Sequence, residues 1–375
     1  MKKRKTMKQW ILAACLLVPC MGATAQKTST EVPATDAAIR YVGRTQVGND
    51  HSVSFDWVGS YLETILTGRE LSIRLTEKGE SYYNVFVDDV QQGVVKSCGT
   101  DTVIRFVNMK KTGTYRIRLQ KRSEGEFGRT TILGLIPGKG GKLKPVTEIP
   151  TRHIELIGDS YTCGFGTEGL DRNEPFKVET ENCNLAYGVL TARYFGADYT
   201  LIAHSGRGAV RNYGDPKRVS DISMADKIAY LFDGPDGKDS LRWNTAEGYR
   251  PSLVVINLGT NDFSVEPHPY RSEFVMGYTK LLKGIRSLYG AEVPILCIYQ
   301  GMSHSPVYEW YVEAVEKMND PHIHYIRLKD DILNSTTDRG SVWHPNQNGQ
   351  RKMAMSVIPY IATLMDWPLE MKVVK

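Results

Sequence analysis

Four short blocks hold the side chains of this chain that could do chemistry together: Gly158-Asp159-Ser160, His204-Ser205-Gly206-Arg207-Gly208, Gly259-Thr260-Asn261-Asp262 and Trp343-His344-Pro345-Asn346. A serine hydroxyl is a weak nucleophile until a base takes its proton. Acyl transfer also needs hydrogen-bond donors aimed at the oxygen on which negative charge develops. The blocks supply a serine, histidines, glycine N–H groups and an asparagine amide, which is the inventory of nucleophilic acyl transfer. Each also has a plain structural reading. Ser160 could cap a helix, Asn261 and Asp262 could close a turn on their own backbone, and His344 could cap or pack. Gly206 could be a turn residue, with Gly208 competing for its role, and His204 is a rival to His344 as base. The nucleophile elbow G-x-S-x-G does not apply, because Thr162 stands where that motif requires glycine.

The elements that must position these blocks follow from hydrophobic periodicity. Apolar runs suited to buried parallel strands occur at His153 to Ile157, Tyr199 to Ala203, Leu253 to Leu258, Ile295 to Tyr299 and His324 to Leu328. Helical patterns lie between them. In Tyr270 to Tyr289, Phe274, Tyr278, Leu281, Leu282, Ile285 and Leu288 recur at three and four residues and share one face. A helix is also expected over Gln347 to Met365. Strands alternating with helices predict an α/β three-layer domain with a parallel sheet, whose site lies beyond the carboxyl ends of its strands. The first three blocks follow directly on the first three strands, and His344 comes after the last.

Upstream, Val42 to Leu135 shows period-two alternation in runs such as His51 to Trp57, Leu71 to Leu75, Tyr83 to Val87, Thr102 to Val107 and Thr114 to Leu119. Gly, Asn and Asp break these runs, the mark of antiparallel strands with one wet face. This half is expected to be an all-β jelly-roll sandwich. The Gly-rich stretch Pro137 to Lys142 separates the two patterns, and Lys139 to Lys144 reads as a linker. The expected organisation is residues 1–25 as a signal peptide, 26–145 as the β-sandwich and 146–375 as the catalytic domain.

The order Gly-Asp-Ser, Gly, Asn, His resembles the four-block signature of the SGNH (GDSL) hydrolases over essentially all of the second domain. The likeness is closer still to carbohydrate esterase family 2, whose members join a jelly roll to such a domain. Gly43-Arg44, Phe55-Asp56-Trp57-Val58-Gly59 and Gly158 to Gly166 carry it, together with the other three blocks. The resemblance implies that Ser160 attacks an ester carbonyl and that His344 takes and returns the proton. It implies an oxyanion hole made by the N–H groups of Ser160 and Gly206 and the Asn261 side chain. It further implies removal of acetyl groups from polysaccharide such as xylan or glucomannan, with Trp343 holding sugar. An indole suits that role through its flat apolar face and polar N–H, and the alternative is a core tryptophan. Tyr161 and Phe165 read first as packing residues. One departure stands out: many SGNH enzymes carry Asp three residues before the histidine, and here that residue is Ser341. Asp338, the nearest upstream acid, is too far along the chain, so a Ser-His dyad oriented by a backbone carbonyl or a remote acid is expected. Rival readings are a lipase or thioesterase on the same constellation, and a non-catalytic glycan-binding protein.

Composition narrows the context. Lys2, Lys3, Arg4, Lys5 and Lys8 precede an apolar stretch from Trp10 to Val18 and an Ala23-Thr24-Ala25 cleavage pattern, a secretory signal. A lipoprotein site at Cys15 is the lesser alternative. The mature protein is expected to be periplasmic or extracellular, with no membrane span. The net charge of +5 resides largely in that basic leader, and no clustered basic face suggests a nucleic-acid partner. The cysteines left are Cys98, Cys163, Cys183 and Cys297, without the paired spacing of a zinc site. Neither metal nor organic cofactor is called for. A Cys163–Cys183 bridge and free buried thiols both remain open.

Overall fold

The computed structural model describes residues 30–237, 240–246, 248–300, 307–329 and 331–374. The expected signal peptide therefore lies outside the described residues. Among those described, no helix is long and apolar enough to cross a membrane.

Residues 32–144 are strand-rich. The strands are β1 (Val32–Pro33), β2 (Arg40–Val42), β3 (Gln46–Val47), β4 (Val53–Phe55), β5 (Tyr61–Val87), β6 (Val90–Lys121), β7 (Gly128–Pro137) and β8 (Lys142–Lys144). All of their pairings are antiparallel. Four of the alternating runs seen in the sequence fall within just two very long paths, β5 and β6. Those paths do not end at Gly68 or Gly79, because register shifts there let the ladder bend without breaking. Asp88 and Asp89 turn β5 into β6, both at positive φ (50° and 62°), as a two-residue hairpin turn of the right twist requires. The inward side chains, among them Phe55, Leu62, Leu71, Ile73, Val85, Leu119 and Ile132, form one core. The expected Lys139 to Lys144 linker is instead a turn closed by Gly141 N–H on Gly138 O (2.8 Å), followed by β8 pairing with β5.

After an irregular stretch the chain enters a five-stranded parallel sheet of order β10-β9-β11-β12-β13. Its strands are β9 (His153–Gly158), β10 (Asp198–Ala203), β11 (Leu253–Asn257), β12 (Ile295–Gln300) and β13 (Ile323–Leu328). β9 to β12 are buried almost throughout because both faces are covered, whereas the edge strand β13 alternates, with Tyr325 and Arg327 exposed. Ile154, Leu156, Val255, Leu296 and Ile298 point to one side, where α2 (Tyr187–Tyr194) and α6 (Gln347–Met365) pack. Ile157, Val254, Ile256, Ile295 and Cys297 point to the other, against α3 (Met224–Lys227), α4 (Arg271–Tyr289) and α5 (Val307–Glu316). The buried face of α4 carries Phe274, Tyr278, Leu281, Leu282 and Ile285, as its spacing predicts. Each such side chain contributes about 1.5–3 kcal/mol by leaving water. The strand order reverses at β9, and that switch point is where an open α/β sheet leaves a crevice.

The two parts share an extensive polar and apolar contact. Trp57 of the strand-rich part is fully buried in the same cluster as Ile157 and Ile202. Arg44, also fully buried, donates to the carbonyls of Ile228 (2.7 Å) and Tyr230 (2.6 Å) and to Glu155 on β9 (3.3 Å). Tyr289 donates to the same Glu155 oxygen at 2.6 Å. Removing one partner of a buried ion pair strands the other charge without water. Arg44→Ala is therefore expected to destabilise the fold by about 3–5 kcal/mol, read from urea unfolding. A loss below about 1 kcal/mol would mean that water enters to replace the guanidinium.

Candidate active site

β9 delivers Asp159 and Ser160 to the switch point. A short helix, α1 (Ser160–Cys163), starts there, with Asp159 as its N-cap accepting from Tyr161 N–H at 3.1 Å. Ser160 is thus the first residue of a helix, where the backbone N–H has no intrahelical acceptor. The structure brings His344 to it across 184 residues of sequence: His344 Nε2 lies 2.8 Å from Ser160 Oγ. His344 Nδ1 lies 2.9 Å from the carbonyl oxygen of Val342. A carbonyl only accepts, so Nδ1 carries the proton and Nε2 presents its lone pair to the serine hydroxyl.

What orients the imidazole is therefore backbone. Val342 and Trp343 both sit at positive φ (51° and 61°), and for a β-branched residue this is a genuine outlier. The surroundings over-determine it. Val342 N–H donates to Glu174 O (3.1 Å), Trp343 N–H to Arg172 O (3.1 Å) and Ser341 N–H to Gly166 O (3.2 Å). Such strain costs on the order of 1–3 kcal/mol per residue and persists where the structure holds it. Here it turns the Val342 carbonyl onto His344. Ser341 is fully buried against Gly166 and Gly169, and Asp338 is turned away, holding Lys352 and the N–H of Asn334 (2.7 Å).

The second and third blocks interlock. Asn261 Nδ2 donates to Asp159 Oδ2 (3.1 Å) and to Arg207 O (2.9 Å). Asp262 accepts the N–H groups of Ala209 (3.0 Å), Val210 (2.7 Å) and Arg211 (2.9 Å), which fixes the far side of the turn. The two glycines differ. Gly208 N–H faces Asn212 Oδ1 (3.3 Å), and a Cβ at Gly208 would meet Arg211 O at 2.0 Å, so this glycine lets Asp262 approach. Gly206 occupies a left-handed turn (φ 76°), and its N–H makes no hydrogen bond within the described residues. His204 is not near-paired with the serine. Its Nδ1 lies 2.8 Å from Asp233 Oδ1, and although burial works the other way, Asp233 holds the imidazole above its usual range. Burial pushes the Asp159 carboxyl up to about 7 and that of Asp262 up to about 6, in each case against backbone N–H groups that pull down.

Aromatic rings wall the histidine. Phe165 lies 4.4 Å from His344 and 3.7 Å from Phe176, which in turn faces Phe127 of the strand-rich part at 5.8 Å. Tyr161 is buried beside it and accepts from Arg339 at 3.2 Å. Trp343 is 51% exposed beneath the Arg172 guanidinium (4.3 Å), so it is not a core side chain. Cys163 and Cys183 are both buried and both free thiols.

With this geometry in view, the comparisons are specific. Residues 156–352 match the model of the GDSL-like lipase/acylhydrolase family, and residues 41–146 match the carbohydrate esterase 2 N-terminal domain. The chain belongs to carbohydrate esterase family 2, within the SGNH hydrolases. Families of this kind are carboxylic ester hydrolases. The chain is 26% identical over 358 residues to an acetylxylan esterase / glucomannan deacetylase of Cellvibrio japonicus, covering 94% of this chain and 96% of that protein. It is 28% identical over 335 residues to the cellulase/esterase CelE of Acetivibrio thermocellus, covering 88% of this chain but only 40% of CelE. Among solved structures, a family two carbohydrate esterase from Clostridium thermocellum in complex with cellohexaose superposes with a TM-score of 0.79. It shares 29% identity and covers 88% of this chain and 100% of that one. In this family 2 member, sequence reasoning placed the four blocks and offered a backbone carbonyl as one way to orient His344 without naming Val342. It missed the Asp159–Asn261 bond, whose local signal is the acid directly before Ser160, and the stacking of Phe165 on Phe176.

Proposed function

We propose that this chain is an exported serine carbohydrate esterase that removes O-acetyl groups from a polysaccharide of xylan or glucomannan type. The observation that carries the reading is the Ser160–His344 contact at 2.8 Å with the imidazole already in the tautomer of a base. Ser160 Oγ attacks the acetyl carbonyl as its proton passes to His344 Nε2. The tetrahedral oxyanion is held by the N–H groups of Ser160 and Gly206 and by Asn261 Nδ2. His344 then returns the proton to the departing sugar hydroxyl, and a water repeats the sequence on the acyl-enzyme. Asn261 has two amide hydrogens, both engaged at rest, so it serves the oxyanion by sharing the one now on Arg207 O. Trp343 offers its exposed face to a sugar ring. The Val342 carbonyl does the orienting otherwise done by an acid, which weakens the case for a non-catalytic relic. The reading takes residues 1–25 as the export signal, 26–145 as a jelly roll and 146–375 as the catalytic domain.

The test is acetate release from acetylated xylan, acetylated glucomannan and an aryl acetate by wild type beside Ser160→Ala. Turnover that vanishes in the variant supports the reading, and a wild type inactive on all three sinks it.

A pH profile gives a second check. Burial, helped by the nearby Arg339 charge, holds His344 below its ordinary 6.5, against the pull of the Val342 carbonyl and of Glu124. Only neutral imidazole accepts the serine proton, so kcat/KM rises with pH through the His344 pKa. The midpoint of that acid limb is expected below 6.5 on an aryl acetate followed from about pH 4 to 8. A midpoint above 6.5 would show that burial of His344 does not set the acid limb, and that the Asp159 carboxyl, pushed up to about 7, or a further acid on the imidazole sets it instead.

A further inference from the structure

Between β6 and β7, the strand-rich part sends the segment Lys121-Arg122-Ser123-Glu124 into the catalytic part, and all four residues are buried. Glu124 ends on the second block. Its Oε2 accepts the N–H of Ser205 at 2.6 Å, and its Oε1 accepts the Ser205 hydroxyl. The next residue is Gly206. We propose that Glu124 is a positioning residue for catalysis, its carboxylate fixing Ser205 and thereby the Gly206 N–H that faces the oxyanion. The proposal rests on the reading of Ser160 as nucleophile and Gly206 as oxyanion donor, and it gives the strand-rich domain a part in the chemistry.

Three features carry it. First, Gly206 is held through its backbone alone. It has no side chain, a Cβ there would find nothing nearer than Tyr213 Cβ at 3.9 Å, and its carbonyl accepts the Tyr213 N–H at 2.8 Å, which leaves its own N–H to be aimed by Ser205. Its place is set by its neighbours, and the near side of the turn is anchored to the other domain. Ser205 is held by Glu124, and His204 by Asp233, whose N–H donates to Asp56 at 2.7 Å. Second, the Glu124 segment is itself rigid. Lys121 Nζ donates to the carbonyls of Ser123 (2.9 Å) and Glu124 (3.1 Å), Arg122 Nε donates to Glu181 O (2.7 Å), and Glu124 N–H donates to Glu181 Oε2 (3.0 Å). Third, the acids here form a hydrogen-bonded cluster and not a cation site. Glu124, Cys163 and Glu181 place their ligand atoms within 4.8 Å of one another. Both Glu124 oxygens are already committed to Ser205, however, and burial keeps the Cys163 thiol and the Glu181 carboxyl well above their usual ranges, so both hold their protons. With both oxygens taken by Ser205 and its own N–H on Glu181, the Glu124 carboxyl is a stiff acceptor for two donors.

The test compares Glu124→Gln, Glu124→Ala and Ser205→Ala with wild type on an aryl acetate. Folding is followed by thermal melting, and competent sites are counted by a stoichiometric serine-directed phosphonate. Phenylboronic acid, whose adduct with the serine puts an oxygen where the oxyanion forms, probes the hole directly. Displacement of one donor by about an ångström costs up to about 100-fold. We expect kcat per competent site to fall between about 10- and 100-fold in Glu124→Gln and Glu124→Ala, with KM within about twofold and phenylboronic acid affinity falling in step. Ser205→Ala cuts one of the two bonds without touching the domain contact, so it should fold even if Glu124→Ala does not, with a smaller loss of the same kind. Wild-type kcat and phenylboronic acid affinity per competent site in Glu124→Gln and Ser205→Ala overturn the positioning role, as does a loss confined to the number of competent sites. If wild type fails to turn over, or Ser160→Ala retains turnover, the esterase reading falls and the positioning role with it.

Discussion

Ser160→Ala, His344→Ala and the double variant should each lower kcat for acetyl release by the same factor, roughly 10⁴- to 10⁶-fold, leaving KM nearly unchanged. The reason lies in the single bond between them. His344 Nε2 has one partner that matters, Ser160 Oγ at 2.8 Å, and its other nitrogen is occupied by the Val342 carbonyl. Without the base the hydroxyl keeps its proton, and without the hydroxyl the base has nothing to activate, so the second change removes nothing further. Residual turnover would come from the oxyanion donors and from binding alone. The measurement is kcat for all three variants on an aryl acetate. Multiplicative losses in the double variant would mean that the two residues act in separate steps, and would sink the dyad.

Which parts of this arrangement were legible in the sequence follows from how local each is. β9 to β12 stand within a residue or so of their apolar runs because a strand buried on both faces needs an unbroken apolar stretch, a local property, and the edge strand β13 shows instead as an alternation of Ile323, Ile326 and Leu328 with exposed residues. The four blocks could be found because strand ends in such a sheet converge. The contacts that join the two parts had no such signal. Glu124 meets Ser205 across 81 residues, and Arg44 meets Glu155 across 111, with no periodicity to report either. The orientation of His344 was half legible: Ser341 in the acid's place shows that something else must do the work. Nothing in Val342 advertises a left-handed backbone, which its β-branch disfavours and which only the bonds to Gly166, Arg172 and Glu174 sustain. The thiols of Cys163 and Cys183 likewise depended on packing, since sequence separation does not determine pairing.

Asn261→Ala should cost about 10²- to 10³-fold in kcat, or about 2.7–4 kcal/mol of barrier, with little change in KM. The ester carbonyl of the bound substrate needs the amide little, whereas the oxyanion of the transition state needs it most, so the loss belongs to kcat. The geometry adds a second consequence. Asn261 Nδ2 donates to Asp159 Oδ2, and Asp159 is buried and pushed up to about 7. Without that donor the charged carboxylate is less favoured still, so the Asp159 pKa rises and the carboxyl stays neutral over a wider range of pH. The kcat profile of Asn261→Ala should then differ from wild type in shape as well as height. If instead kcat falls less than about fivefold in a well-folded variant, the N–H groups of Ser160 and Gly206 suffice for the oxyanion. Asn261 would then be a strut between Asp159 and the Arg207 carbonyl, holding the first and second blocks in register without touching the reacting oxygen.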